Sequence, residues 1–130
     1  MEEAIKEAQK SLLEEDIPVG CIIVENGKII AKAHNTREKE HKITGHAEIN
    51  AIEKACKKKK TWHLTDCELY TTLEPCEMCI EAIKQARIRK VYFDANKQNQ
   101  KNIKEVPIEK IQTDGTSEKI IKDFFKNKRK

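Results

Sequence analysis

Cys67-Glu68-Leu69-Tyr70-Thr71-Thr72-Leu73-Glu74-Pro75-Cys76-Glu77-Met78-Cys79-Ile80 reads as a strand, Cys67 to Leu73, that runs straight into a helix. Tyr and Thr in its first half suit the pleated surface of a sheet. Pro75 stands where proline suits the first turn of a helix. Ile80, Ala82, Ile83 and Ala86 then carry that helix to about Gln85 or Arg87. On the N-terminal side, Val19 to Val24 and Lys28 to Ala33 are apolar runs separated by Glu25-Asn26-Gly27, and Asn-Gly between two such runs is a strong hairpin signal. Ala47, Ile49, Ile52 and Ala55 recur at helical spacing from about Gly45 to Lys58, with Thr44 as its expected cap. Ala4, Ile5, Ala8, Leu12 and Leu13 do the same over Glu2 to Glu14, before Pro18 stops any continuation.

Downstream, Val91-Tyr92-Phe93 is expected to form a fourth strand and Ile108 to Gln112 a weaker fifth, ahead of an Asp114-Gly115 turn. A last helix is expected from about Ser117 to Lys128, within a basic C-terminal stretch over residues 118–130, and the polar run Lys97 to Glu105 reads as a loop. Strands alternating with helices behind an opening hairpin indicate an α/β fold, a three-layer α/β/α domain with a mixed five-stranded sheet. A length of 130 residues suits one domain, 1–130, with one continuous core.

The composition, 38% hydrophobic and 37% charged, is too apolar for a disordered chain and too polar for a membrane protein. No apolar run approaches the roughly 20 residues of a membrane span. Met1-Glu2-Glu3-Ala4 has neither the basic start nor the apolar stretch of a signal peptide. A cytoplasmic protein with no membrane partner is expected. Five cysteines, two of them closely paired, fit metal binding in a reducing compartment better than a disulfide framework. Cys21, Cys56 and Cys67 are then expected to be small buried side chains. The formal charge of +4 is concentrated in Lys57-Lys58-Lys59-Lys60 and in Lys126, Lys128, Arg129 and Lys130. Such clusters suit a polyanionic partner, although lysines at helix C-termini also favour the dipole and solubility.

His46-Ala47-Glu48 opens one expected helix and Pro75-Cys76-Glu77-Met78-Cys79 opens another. Cysteines three apart on a helix share a face, and a helix N-terminus favours thiolate over thiol. His46, Cys76 and Cys79 therefore read as three ligands of one Zn2+, leaving a fourth tetrahedral position for water, as in catalytic sites. The ion can lower the pKa of that water to about 7. Glu48, two residues beyond His46, can reach the water without being a ligand, which is the place for a proton shuttle. A closed structural site, with His63, Cys67 or His41 as a fourth ligand, would leave Glu48 without a use. His-x-Glu and Cys-x-x-Cys are each weak alone; together and in this order they are the signature of zinc nucleobase deaminases.

With these residues in place, the chain resembles the cytidine-deaminase-like superfamily, and within it the bacterial tRNA adenosine deaminases. The resemblance runs through Asp16-Ile17-Pro18-Val19-Gly20, His34-Asn35, Gly45-His46-Ala47-Glu48-Ile49, Thr71 to Cys79, Arg87-Ile88 and Val91-Tyr92-Phe93. It ends in Asp123-Phe124-Phe125-Lys126 and the basic residues after it. It implies hydrolytic deamination of adenosine to inosine at the first anticodon (wobble) position of tRNA, with the anticodon stem-loop as partner and a homodimer as the assembly. It also implies attack at C6 of adenine while Glu48 protonates N1 and then the departing amine, and contact of Asn35 with the target nucleoside. Lys126, Lys128, Arg129 and Lys130 are the RNA-binding candidates. Two departures stand out: Lys42-Ile43-Thr44-Gly45 replaces the family's usual lead into the histidine, and the segment after Phe93 is short. The alternatives are a deaminase of a free base or nucleotide, of guanine or cytosine type, and a non-catalytic zinc-containing RNA-binding subunit.

Overall fold

The computed structural model describes residues 1–96, 106–111 and 113–128, without the side chain of residue 128. Its elements are α1 (Glu2–Leu13), β1 (Gly20–Glu25), β2 (Lys28–His34), α2 (Arg37–Glu40), α3 (Ala47–Lys59), β3 (Cys67–Leu73), α4 (Glu77–Gln85), β4 (Lys90–Ala95), β5 (Ile108–Lys110) and α5 (Thr116–Lys128). The strands form one mixed sheet in the order β2-β1-β3-β4-β5. β1 is antiparallel to β2 and β3, whereas β3, β4 and β5 are mutually parallel neighbours. α1 packs on β1 and β2 and meets α5, while α3 packs on the same strands and meets α4. The sheet thus lies between two helical layers, as the alternation of strands and helices requires.

The hairpin turns on Asn26 and Gly27, with φ of 50° and 79°, the positive values that a two-residue turn matched to strand twist demands. Alternation along β1 divides its side chains between the layers. Cys21 and Ile23 join Ala47, Ala51, Ala55, Ile80 and Ile83 in the buried core. On the other face a Cβ on Gly20 would overlap the Ala4 carbonyl oxygen, so the backbone of α1 rests directly on β1.

Several sequence expectations are corrected. Leu12 and Leu13 point outward, at 41% and 86% exposure, while Glu7 and Ser11 are buried. Polar contacts with the edge of the sheet decide this rotation: Ser11 Oγ donates to the Asn35 carbonyl at 3.1 Å, and Glu7 pairs with Lys10 at 2.6 Å and with His34 at 3.3 Å. α3 starts at Ala47, and Thr44 does not cap it; the Ala47 N–H donates to Asn35 Oδ1 at 2.7 Å instead. Pro75 lies before the N-cap Cys76 and not within the first turn of α4. Cys56 is half-buried, unlike Cys21 and Cys67. Helix α2, of four residues, lies in the stretch between β2 and α3. Ile121 and Phe124 are only half-buried and Phe125 is 44% exposed, so α5 turns less of its apolar face to the core than its pattern suggests. The Lys97–Glu105 stretch and Gln112 lie outside the described residues. Among the described residues no helix is long and apolar enough to cross a membrane.

Candidate metal centre and active site

Two helices begin at one place. His46 is the N-cap of α3 and Cys76 the N-cap of α4, both with extended backbone, and Cys79 follows on the first turn of α4. His46 Nδ1 lies 3.7 Å from Cys76 Sγ and 3.4 Å from Cys79 Sγ. A tetrahedral zinc with ordinary Zn–N and Zn–S bonds sets such a pair about 3.6 Å apart. The donor atoms are therefore already spaced for the ion, and nitrogen with two sulfurs is a donor set that zinc favours over hard-oxygen cations. Among the described residues no other His, Cys, Asp or Glu joins the group, so His41, His63 and Cys67 do not close it.

Hydrogen bonds among the adjoining segments of the chain fix these donors. The Glu74 N–H donates to the Ala95 carbonyl at 2.8 Å, which ties the approach to Cys76 to the end of β4. Thr36 N–H donates to the Gly45 carbonyl at 2.8 Å. A Cβ on Gly45 would lie 2.7 Å from Arg37 N, so glycine allows that close approach immediately before His46. Asn50 Nδ2 donates to the His34 carbonyl and to Thr36 Oγ1, which holds the Asn35 segment against α3.

The thiols are electrostatically unequal. A hydrogen bond from Cys79, helped by His46 and opposed by burial, lowers the Cys76 pKa to about 3. The same hydrogen bond, with burial and the Glu48 charge, pushes the Cys79 thiol far up. A zinc ion held here would bind both sulfurs as thiolates. Burial pushes the Glu48 carboxyl above the ordinary carboxylate range, against backbone hydrogen bonding and the attraction of His46. Glu48 is 4% exposed, and what surface it keeps faces the cavity beside His46 and Cys76.

That cavity measures about 840 Å³. Its floor carries His46, Glu48, Cys76 and Asn35, and Ile121, Phe125 and Lys126 of α5 form its opposite wall. Asn35 lines the cavity, and its side-chain oxygen Oδ1 accepts the Ala47 N–H. One acceptor site of the amide is thereby used, and its NH2 group still offers donors. Lys126 lines the cavity. Arg129, Lys130 and the side chain of Lys128 lie outside the described residues. Arg37, Glu118 and Lys122 also line the cavity and were missed; Arg37, two residues beyond Asn35, had its position as a signal, whereas Glu118 and Lys122 had only their one-turn spacing.

Residues 1–95 match the family model of the cytidine and deoxycytidylate deaminase zinc-binding region. A tRNA-specific adenosine deaminase of Bacillus subtilis is 50% identical over 95 residues, which are 73% of this chain and 59% of that protein. The match thus spans about 60% of the length of such curated relatives. A solved structure from work on A-to-I editing by tRNA:A34 deaminases at the wobble position superposes with a TM-score of 0.81 at 31% identity, over 85% of this chain and 95% of that one. The guanine deaminase of Bacillus subtilis gives 0.71 at 30% identity, over 98% and 90%. The chain belongs to the cytidine and deoxycytidylate deaminase zinc-binding family, and within it to the sequences related to tRNA-specific adenosine deaminases.

Proposed function

We propose that this chain deaminates adenosine to inosine at the wobble position of a tRNA, as a single cytoplasmic domain working in a homodimer. The observation that carries the reading is the three-donor site, with no fourth protein ligand among the described residues, set beside Glu48 in a cavity walled by α5. The 50% identity to a protein named as a tRNA-specific adenosine deaminase supports the choice of substrate.

His46, Cys76 and Cys79 hold zinc, which when bound supplies the Lewis acidity that activates water near neutral pH. The rest of the work falls to the chain. Glu48 takes a proton from the attacking water and delivers it to N1 of adenine as C6 is attacked; it then takes the proton of the new C6 hydroxyl and passes it to the departing amine, which leaves a carbonyl at C6. Adenosine and water thereby give inosine and ammonia. The buried position of Glu48 suits this exchange, because a carboxyl desolvated by the protein holds a proton more readily than an exposed one. Asn35 donates its amide hydrogen to the nucleoside and so orients the ring over Glu48. The target base must leave the anticodon stack to enter the cavity. Phe125 and Lys126 on α5 offer it an aromatic face and a cation for a neighbouring phosphate.

The test is incubation of the zinc-loaded chain with an anticodon stem-loop carrying adenosine at the first anticodon position, followed by nucleoside analysis. Inosine is the expected product. Its absence, alongside ammonia release from free guanine, would reverse the reading in favour of a base deaminase, which the superposition on guanine deaminase over 98% of the chain makes the second candidate.

A further inference from the structure

We propose that the end of the sheet opposite the metal donors is a second RNA contact, in which Lys57, Lys58, Lys60 and Arg87 take the phosphates of a single strand and the Trp62–His63 stack meets a base. The surface lies well away from the site above. α3 has 13 residues between the His46 cap and Lys60, a span of about 20 Å at the helical rise per residue. Arg87 likewise follows the far end of α4, and Trp62 precedes the start of β3.

The pieces are brought together by the fold. The Leu64 N–H donates to the Ala86 carbonyl at 2.8 Å, and Leu64 itself is fully buried. This pins the loop after α3 to the turn after α4. Trp62 is nevertheless 59% exposed. It stacks on His63 with ring centroids 3.8 Å apart, and the Arg87 guanidinium sits 5.5 Å from the Trp62 ring centre. Of the lysine run, Lys59 is committed to Glu25. Among the described residues, no ion pair engages Lys57, Lys58 or Lys60. The acidic groups closest in sequence are Glu53, one turn before Lys57, and Asp66 in the loop, so cations prevail.

Backbone conformation adds an independent point. Lys60 and Arg87 have φ of 56° and 62°, in the left-handed region that favours glycine or asparagine. Both flank Trp62, and both place a long cationic side chain where the backbone alone would prefer none. The helix dipole favours a cation at either helix end, but it does not ask for a left-handed backbone, which glycine or asparagine adopts at lower cost. Exposed aromatic rings among cations are the elements with which proteins hold single-stranded nucleic acid. The inference goes beyond the reading of the metal site and does not depend on turnover.

Trp62 is the only tryptophan of the 130 residues, so its fluorescence reports this surface alone. The full chain is titrated at low salt with a short single-stranded oligouridylate. Saturable quenching is expected, weakened at least tenfold in Lys57→Glu/Lys58→Glu/Lys60→Glu. The salt slope should fall by about 2, since each single-strand phosphate contact contributes about 0.7. Phe125→Ala, in the cavity wall, should quench as the parent does. Lys60→Gly is expected to raise the melting temperature and lower oligonucleotide affinity together, a split that a purely structural lysine would not produce. No quenching, quenching indifferent to the charge reversals, or quenching lost equally in Phe125→Ala would overturn the proposal. So would a tryptophan signal that changes only with protein concentration, which would assign the surface to a second copy of the chain. Inosine formation from the short stem-loop should be unaffected by the triple reversal, which separates failure here from failure of the deaminase reading.

Discussion

The floor of the cavity is cross-tied, with Asn35 and Glu48 each at most 5% exposed and His46 and Cys76 half-buried, and with hydrogen bonds joining β2, α3, β3 and β4 around the donors. The α5 wall facing it is half-exposed and starts from a local cap, in which Asp114 Oδ1 accepts the Thr116 N–H at 3.1 Å. The contrast separates chemistry, which needs atoms held to tenths of an ångström, from recognition, which tolerates a wall that adapts. The largest test of that division is loss of a donor. Cys79→Ala should abolish both zinc content, read by mass spectrometry, and turnover, and should lower the melting temperature because bound metal stabilises the fold that carries its site. Full zinc occupancy in that variant would break the distinction between floor and wall.

Glu48→Gln is the next largest. It keeps the shape of a buried side chain but removes the proton carrier, so kcat should fall about 10²- to 10⁴-fold with zinc content unchanged. An unchanged kcat would move the proton work to another group lining the cavity, such as Glu118 of the opposite wall. Asn35 sharpens the comparison because it serves both functions. Asn35→Ala leaves the Ala47 N–H unpaired at a buried helix start, which should cost about 1–2 kcal/mol of stability in urea unfolding. Asn35→Asp retains the acceptor but loses the amide donor. It should lose less stability than the alanine variant while raising KM at least as much; equal stability losses would show that Asn35 acts through the cap alone.

The same contrast governs what the sequence could reveal. β3 was legible over Cys67–Leu73 to the residue, because its Tyr and Thr content and the Pro75 boundary are local signals. The metal donors were legible because their identities and spacing restrict the chemistry severely, and the structure needed only to bring His46 within 3.7 Å of both sulfurs. The start of α3 was not legible, since its cap comes from Asn35, twelve residues earlier, and Thr44 offers the stronger local signal. Nor was the rotation of α1, where apolar spacing favoured Leu12 and Leu13. Glu7 is pushed up by burial yet held below the ordinary carboxylate range by Lys10 and His34, and that compensation depends on a strand 27 residues away. Local chemistry was readable, whereas partners supplied by tertiary contact were not.

Phe125→Ala is the smallest and most discriminating change. The ring is 44% exposed, so its removal gives up little of the burial that makes core phenylalanines costly to truncate, and the melting temperature should hardly move. It lines the cavity and meets Phe124 edge-on at 5.4 Å. If α5 serves recognition, the loss is that of one aromatic surface for a base, about 1–3 kcal/mol, and KM for the anticodon stem-loop should rise fivefold or more while kcat holds. A free base, which enters the floor without needing the wall, should show a much smaller KM change. A fall in kcat with KM unchanged would mean that α5 positions the reacting atoms, and the wall would then belong to the chemistry it faces.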